Sequence, residues 1–328
     1  MTDELAVAVA RSAVALEGAE SILLCAHVNP DGDALGSMLA AFWALRELGK
    51  DPVATFPAPF RTADVYRFLP GLDQLTPPDR LRDSYDVVTV FDVAAPARLH
   101  ELQHQAHRAN ELIVVDHHVS NTDFGTLPVV DPHAAATGQV AQRIIGALGV
   151  ALTKDIATCL YTALVADTGR FLYRTTTPEV FREAADLADV GVDVTEVSRH
   201  LFEESPFAYL SLLADVIAGA HLEEDLGLVW ASVDRDDLDR HGLTPDHAEP
   251  IIDMVRQTQE ASVACLLKDF DSDGVRVSLR SRNDIDVATI SIAEGGGGHR
   301  HAAGFTAPSV EAAIDAVREG VRRQRGLG

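Results

Sequence analysis

The stretch SILLCAHVNPDGDALGSMLAAFWALRELG (residues 21–49) holds a strand, a turn and a helix in that order. SILLCAHV is a continuous apolar run short enough for a buried strand. ALGSMLAAFWALRELG has helical periodicity and stops at Gly49. Between them the chain places His27, Asp31 and Asp33 within seven positions. Charged groups this dense at the end of a buried strand are costly unless something binds them.

The same alternation continues outward. PVATF (52–56), YDVVTVFDV (85–93) and ELIVVDHHV (111–119) read as further strands. PARLHELQHQAHRA (96–109), TGQVAQRIIGALG (137–149) and KDIATCLYTALVAD (154–167) read as helices. The strands are apolar on both faces, as in a parallel sheet covered by helices. The expected class is α/β, with a doubly wound, mainly parallel N-terminal sheet over residues 1–192. Residues 193–221 read as a helical linker. Residues 222–328 read as a smaller α/β domain, with strands in GLVWASV (227–233), ASVACLLKDF (261–270) and VRVSLRS (275–281). PDHAEPIIDMVRQTQ (245–259) and SVEAAIDAVREGVRRQR (309–325) supply its helices.

Composition bounds the function. The chain has 328 residues, 27 Lys+Arg against 50 Asp+Glu, and a net charge of −23. That balance argues against broad binding to long nucleic acid, which depends on neutralising phosphates. It leaves room for a small phosphorylated ligand at a local cationic site. Cys25, Cys159 and Cys265 sit in separate apolar runs and read as buried free thiols, in keeping with a reducing cytoplasm. The N-terminus carries acids and no basic leader, and ALGSMLAAFWAL (34–45) is too short to span a bilayer. A cytoplasmic protein with no membrane partner is expected.

Ligands of open α/β sheets bind at the carboxyl ends of the strands. His27, Asp31 and Asp33 follow the first strand, Asp92 the third, and Asp116, His117 and His118 the fourth, while Asp167 and Gly169 end a later helix. Any one of these aspartates is ordinarily a turn former or helix cap; their joint placement calls for another explanation. Four carboxylates (Asp31, Asp33, Asp92, Asp167) in one cleft need compensating positive charge. Two divalent cations would supply it, with His27 and His117 as nitrogen ligands. A mixed carboxylate–imidazole set suits Mn²⁺, Fe²⁺, Co²⁺ or Zn²⁺ better than Ca²⁺ or Mg²⁺. Paired metals about 3.5–4 Å apart are a common device for splitting phosphate esters. In the second domain, EGGGGHRHAAGF (294–305) reads either as a flexible turn or as an anion cradle built on Gly296, Gly297, Gly298 and His299. Arg280 and Ser281 end a strand and are candidates for a second phosphate contact, with a solvated arginine as the rival reading.

HVNPDGDALGS, FDVA, DHH and DTGRF, in this order, resemble the four motifs of the DHH phosphoesterase superfamily, and RS with GGGGHRHAAGF resembles its DHH-associated C-terminal domain. The resemblance covers nearly the whole chain. It implies a dinuclear site, usually manganese, with the active site in a cleft between the two domains. It implies His27 and Asp31 on one ion, Asp33, His117 and Asp167 on the other, and Asp92 bridging. His118 would face the substrate phosphate or leaving group, and Asp116 would orient a histidine. Arg280, Ser281 and the GGGH segment would hold the nucleotide end, and Arg98 is a candidate phosphate contact. The chain has no room for the DNA-gripping domains of RecJ-type exonucleases. It lacks the transmembrane segments of membrane-bound cyclic dinucleotide phosphodiesterases and the basic signature of family II pyrophosphatases. What remains is the compact type, which degrades very short oligoribonucleotides and removes the 3′-phosphate of phosphoadenosine phosphate (pAp). Some relatives act on cyclic di-AMP or pApA, and relatives form homodimers. A single-strand exonuclease on longer DNA and a non-catalytic nucleotide-binding regulator are the alternatives. The sequence leaves the ranking among the small substrates open.

Overall fold

The computed structural model describes residues 2–271, 274–282 and 284–326. It divides into two compact units, Met1–Glu204 and Ser205–Gly328. The first contains α1 (Asp3–Gly18), β1 (Ile22–Cys25), α2 (Gly32–Glu47), β2 (Val53–Thr55), β3 (Val87–Phe91), α3 (Gln103–Arg108), β4 (Glu111–Asp116), β5 (Leu127–Val130), α4 (Thr137–Ala147), α5 (Lys154–Asp167), α6 (Pro178–Val190) and α7 (Val194–Phe202).

Its five strands are all parallel, in the order β2-β1-β3-β4-β5. Alternate residues of β1 feed opposite cores. Ile22 and Leu24 pack with Leu35, Leu39 and Leu160, while Leu23 and Cys25 pack with Val88, Val90, Leu99 and Leu102. Both faces are therefore covered, which is why the strands read as unbroken apolar runs. The strand order reverses direction between β1 and β3, the position where a doubly wound sheet opens a crevice.

Two elements depart from the sequence reading. Residues 96–109 do not form one helix. A 3-10 stretch (Pro96–Leu102) is interrupted at His100, with φ 43° and ψ −122°, before α3 begins. Here the Arg98 carbonyl accepts from the Val28 amide at 3.1 Å, a bond that draws it toward the loop after β1. The strand β5 is absent from the sequence reading, and Pro128 lies inside it. As an edge strand, β5 tolerates the missing donor.

The second unit contains α8 (Phe207–Ala218), β6 (His221–Glu223), β7 (Leu228–Asp234), α9 (Arg235–His241), α10 (Ile251–Val255), β8 (Val263–Asp271), β9 (Gly274–Ser281), α11 (Val287–Ala293), β10 (Gly297–His299), β11 (Ala302–Ala307) and α12 (Val310–Arg325). Its mixed sheet runs β10-β11-β9-β8-β7-β6, with only β7–β8 parallel. The segment 193–221 is shared between the units: Val197 of α7 packs into the first unit's core, and Leu212 and Val216 of α8 into the second's. The helix read over 245–259 is broken by Pro250 into a 3-10 turn and the short α10. The glycine run is not a loose loop either: Gly297–His299 is strand β10, paired with β11. A side chain on Gly298, at φ 131°, would stand 2.6 Å from the Ala302 carbonyl oxygen, so the hairpin closes only with glycine there.

All three cysteines are free and buried. Among the described residues, no helix is long and apolar enough to cross a membrane.

Candidate metal centre

The crevice is built by close packing of α2 against α5. A Cβ on Gly36 would lie 2.4 Å from the Cys159 carbonyl oxygen, so the two helices approach only because that position is glycine. This brings the start of α2, with Asp31 and Asp33, beside the end of α5, with Asp167. Asp31 is the N-cap of α2: its Oδ1 accepts from the amides of Asp33 and Ala34, each at 3.0 Å. The ordinary cap reading of Asp31 is thus correct for one oxygen, while Oδ2 lies 4.0 Å from His27 Nε2.

Around Asp92 the side chains converge. His27 Nε2 is 3.4 Å from Asp92 Oδ2. His117 Nε2 is 3.7 Å from Asp33 Oδ2, 3.7 Å from Asp92 Oδ1 and 3.2 Å from Asp167 Oδ2. Both imidazoles place Nδ1 against a backbone carbonyl, Val28 at 2.8 Å and Ala134 at 3.1 Å, which turns Nε2 toward the carboxylates. Arg98 lies at the rim, with Nη2 2.8 Å from His27 Nδ1. His27, Asp33, Asp92 and His117 are buried.

Two sets of donors fit a divalent cation each: His27, Asp31 and Asp92, and Asp33, Asp92 and His117. Within each set the ligand atoms lie within 4.8 Å of one another, and Asp92 belongs to both; it also belongs to a third such group with Asp116 and His118, in which His118 Nδ1 is engaged by Asp116. Asp167 adjoins the second set through His117. Oxygen and imidazole donors without thiolate match the harder first-row ions.

Asp116 is fully buried and organises the DHH segment. Its Oδ1 accepts from the amides of His117 and His118 and from His118 Nδ1 at 2.8 Å; its Oδ2 accepts from Asn121 Nδ2. Sequence reasoning missed Asn121. It also missed Ser37, Thr137 and Gly138, which surround Asp33: Ser37 Oγ donates at 3.0 Å, and the Thr137 and Gly138 amides donate at 2.7 and 3.0 Å. One signal was present. Helix α4 follows AAA, so Ala136 stands at its N-cap with no side-chain acceptor, and the acceptor has to come from elsewhere.

The charges pull against one another. Burial, Asp92 and Asp167 push the Asp33 carboxyl well above its ordinary range. Burial also opposes ionisation of Asp92, but the His118, His27 and His117 rings hold it well below. Burial disfavours the charged imidazole of His118, yet Asp92 and Asp116 prevail and raise it from 6.5 to about 9. In the metal-free protein that attraction is fully present below about pH 6.5 and is lost as pH rises through about 9, an effect on the order of 3 kcal/mol. Thermal melts in chelator should therefore show Tm falling across that window. A Tm that stays level would refute the assignment of a charged His118.

In the second unit, strand register places His299, Ala302 and Arg280 in one row across β10, β11 and β9. The same face carries Arg276, Ser278, Gly297 and Gly304. The opposite face carries Val277, Leu279, Ala303 and Phe305 and packs into the core. Arg280 Nε is buried without a hydrogen-bond partner among the described residues, while Nη1 donates to the Leu279 carbonyl at 3.1 Å. Ser281, next in the strand, alternates to the other side, and its hydroxyl is 2.9 Å from His301 Nδ1 and 3.3 Å from the Arg300 carbonyl. The Arg280–Ser281 pair is thus divided. Arg280 shares a face with His299, and Ser281 braces the turn between β10 and β11. Gly296 precedes β10 and donates its amide to the Ser291 carbonyl at 2.8 Å.

Residues 21–164 match the model of the DHH family, N-terminal domain, and residues 227–323 match that of the DHHA1 domain. The bifunctional oligoribonuclease and PAP phosphatase NrnA of Thermus thermophilus is 34% identical over 94% of this chain and 92% of its own length. The chain belongs to the DHH family. Among solved structures, an exopolyphosphatase-related protein from Bacteroides fragilis has a TM-score of 0.87 at 23% identity, covering 98% of this chain and 97% of that one. RecJ from Thermus thermophilus, in complex with Mn²⁺, has a TM-score of 0.56 at 16% identity, covering 99% of this chain and 55% of RecJ. These two likenesses are of fold alone and extend over nearly all of this chain. The chain is thus a DHH-family member of the hydrolase type, carrying both the DHH and the DHHA1 domain.

Proposed function

We propose that this DHH protein is a metal-dependent phosphoesterase that hydrolyses very short oligoribonucleotides and removes the 3′-phosphate of pAp. The observation that carries the reading is the pair of donor sets sharing Asp92, beside a His118 fixed by Asp116. Its support from comparison is the NrnA relative, similar over nearly the full length of both chains.

On this reading His27, Asp31 and Asp92 hold one divalent ion, and Asp33, Asp92, His117 and Asp167 the other. Manganese is the ion of choice, in line with the donor chemistry and with the metal in the RecJ structure. When bound, the ions neutralise phosphoryl oxygens and make water nucleophilic at neutral pH. The protein's own part is geometric and electrostatic. The Ala134 carbonyl fixes the His117 tautomer, the Val28 carbonyl and Arg98 together orient the His27 ring through Nδ1, and Asp116 holds His118 so that its Nε2 can donate to a phosphoryl or leaving-group oxygen. Arg98, beside His27, meets a further phosphoryl oxygen.

We assign the nucleotide end to the second unit, with Arg280, His299 and Gly297 as its anion-binding face and with Gly296 and Gly298 shaping the hairpin backbone that carries it. Ser281 is assigned to supporting that face. The orphaned Nε of Arg280 favours this assignment. A homodimer acting in the cytoplasm completes the reading.

The test is a substrate panel with Mn²⁺: pAp, dinucleotides, pApA, cyclic di-AMP and a strand of about 24 nucleotides. One pocket holds few phosphates, so kcat/KM for dinucleotides up to about five-mers should exceed that for the long strand by roughly tenfold or more. Faster cleavage of the long strand would favour the RecJ-type exonuclease. No turnover of any substrate, with metal bound, would favour a regulator.

A further inference from the structure

Thr137 touches both carboxylates of the second donor set. Its backbone amide donates to Asp33 Oδ2 at 2.7 Å, and its hydroxyl donates to Asp92 Oδ1 at 2.9 Å. It is fully buried, 104 residues from Asp33 and 45 from Asp92 in the chain. The two contacts have different origins. The amide is one of the orphan donors at the start of α4, whose N-cap is an alanine, and Asp33 acts as its cap from another helix. The hydroxyl is not needed for that cap.

What the hydroxyl does is select the pose of Asp92. This carboxylate has His27 on its Oδ2 side and His117 and His118 on its Oδ1 side. Its backbone, at φ 60°, is already in the left-handed region, which fixes the direction in which the side chain leaves the chain. Rotation of the carboxylate about its last bond remains. A shared ligand must keep one oxygen toward each set, and a short hydrogen bond to Oδ1 from a rigid helix terminus opposes that rotation. We infer that Thr137 is a positioning residue that holds Asp92 in the orientation where it can serve two metal ions at once.

The inference rests on the two-metal reading proposed above, so the experiment separates the two. Metal-free protein is titrated calorimetrically with Mn²⁺ alone, and the electron paramagnetic resonance of the loaded protein is recorded for an exchange-coupled pair. The variants are Thr137→Val, which keeps the shape and the amide cap but lacks the hydroxyl, and Thr137→Ser, which keeps the hydroxyl. Wild type and Thr137→Ser should take up two ions with a coupled signal. Thr137→Val should bind the weaker ion about 10- to 100-fold less tightly and lose or diminish the coupling, the range seen when groups that orient a ligand are removed. Its metal-free Tm should stay close to wild type, because Asp33 still caps α4. Where Thr137→Val does not fold, Thr137→Ala reports on the same hydroxyl. Two ions bound with wild-type affinity and coupling in the hydroxyl-free variant overturns the inference and leaves the two-metal reading standing. So does an equal loss of both ions with a collapsed Tm, which would make Thr137 structural. A wild-type protein that binds fewer than two ions overturns the two-metal reading, and the inference with it.

Discussion

Asp92→Asn should lower kcat/KM by about 1,000-fold or more, because several kcal/mol of charge stabilisation disappear with one carboxylate. Asparagine is the informative replacement. The backbone at Asp92 has φ 60°, which Asn tolerates nearly as well as Asp and most residues do not. An amide oxygen still accepts from the Thr137 hydroxyl, so the fold keeps its local hydrogen bond. What goes is the charge shared between His27 on one side and His117 and His118 on the other. Bound manganese should drop below two ions per chain, while the metal-free protein still folds and loses only the part of the His118 attraction that Asp92 supplies. Turnover at the wild-type level in this variant would show that Asp92 is not the shared ligand, and the proposed reaction would lose its centre.

His118→Ala should reduce kcat by roughly 10²- to 10⁴-fold, the span of a lost proton donor in a transition state. Manganese content should be retained, because His118 spends its Nδ1 on Asp116 and belongs to neither of the two sets assigned to the ions, His27–Asp31–Asp92 and Asp33–Asp92–His117. The prediction depends on the fixed imidazole: Asp116 engages Nδ1, and Asn121 holds Asp116 from its other oxygen. Asp116→Asn should therefore move kcat in the same direction with the His118 ring still present. Loss of manganese from His118→Ala in proportion to its activity would make His118 a ligand. It would also remove the proton-donor role from the mechanism proposed for this chain.

Parts of this molecule were legible for identifiable reasons. The strands β1, β3 and β4 are apolar on both faces, so composition alone announces a covered parallel sheet, and the polar residues that end them stand out against it. Other parts misread because a tertiary bond overrides local preference. Residues 96–109 have helical periodicity, yet the backbone turns at His100, and the Arg98 carbonyl serves the loop after β1. The glycine run reads either as a flexible turn or as an anion cradle because glycine is weak in strands; pairing with β11 and the want of space beside Gly298 make Gly297–His299 a strand. Adjacent residues can also be assigned together and then separated by the pleat, as Arg280 and Ser281 are.

The sequence by itself determined the alternation of strands and helices, the strand ends that carry His27, Asp92 and the Asp116–His118 segment, and the amphipathic faces that close each core. All of these are encoded within a few residues, in periodicity and in the cost of placing charge beside an apolar run. Only the tertiary structure decided that Asp33 caps a helix 104 residues away, that Thr137 reaches Asp92, and that Arg280 and His299 share a face while Ser281 does not. A buried donor or acceptor must be satisfied, but local sequence does not say by whom. The partner is whatever group packing brings within about 3 Å, and that is settled by how whole elements fit together rather than by their neighbours in the chain.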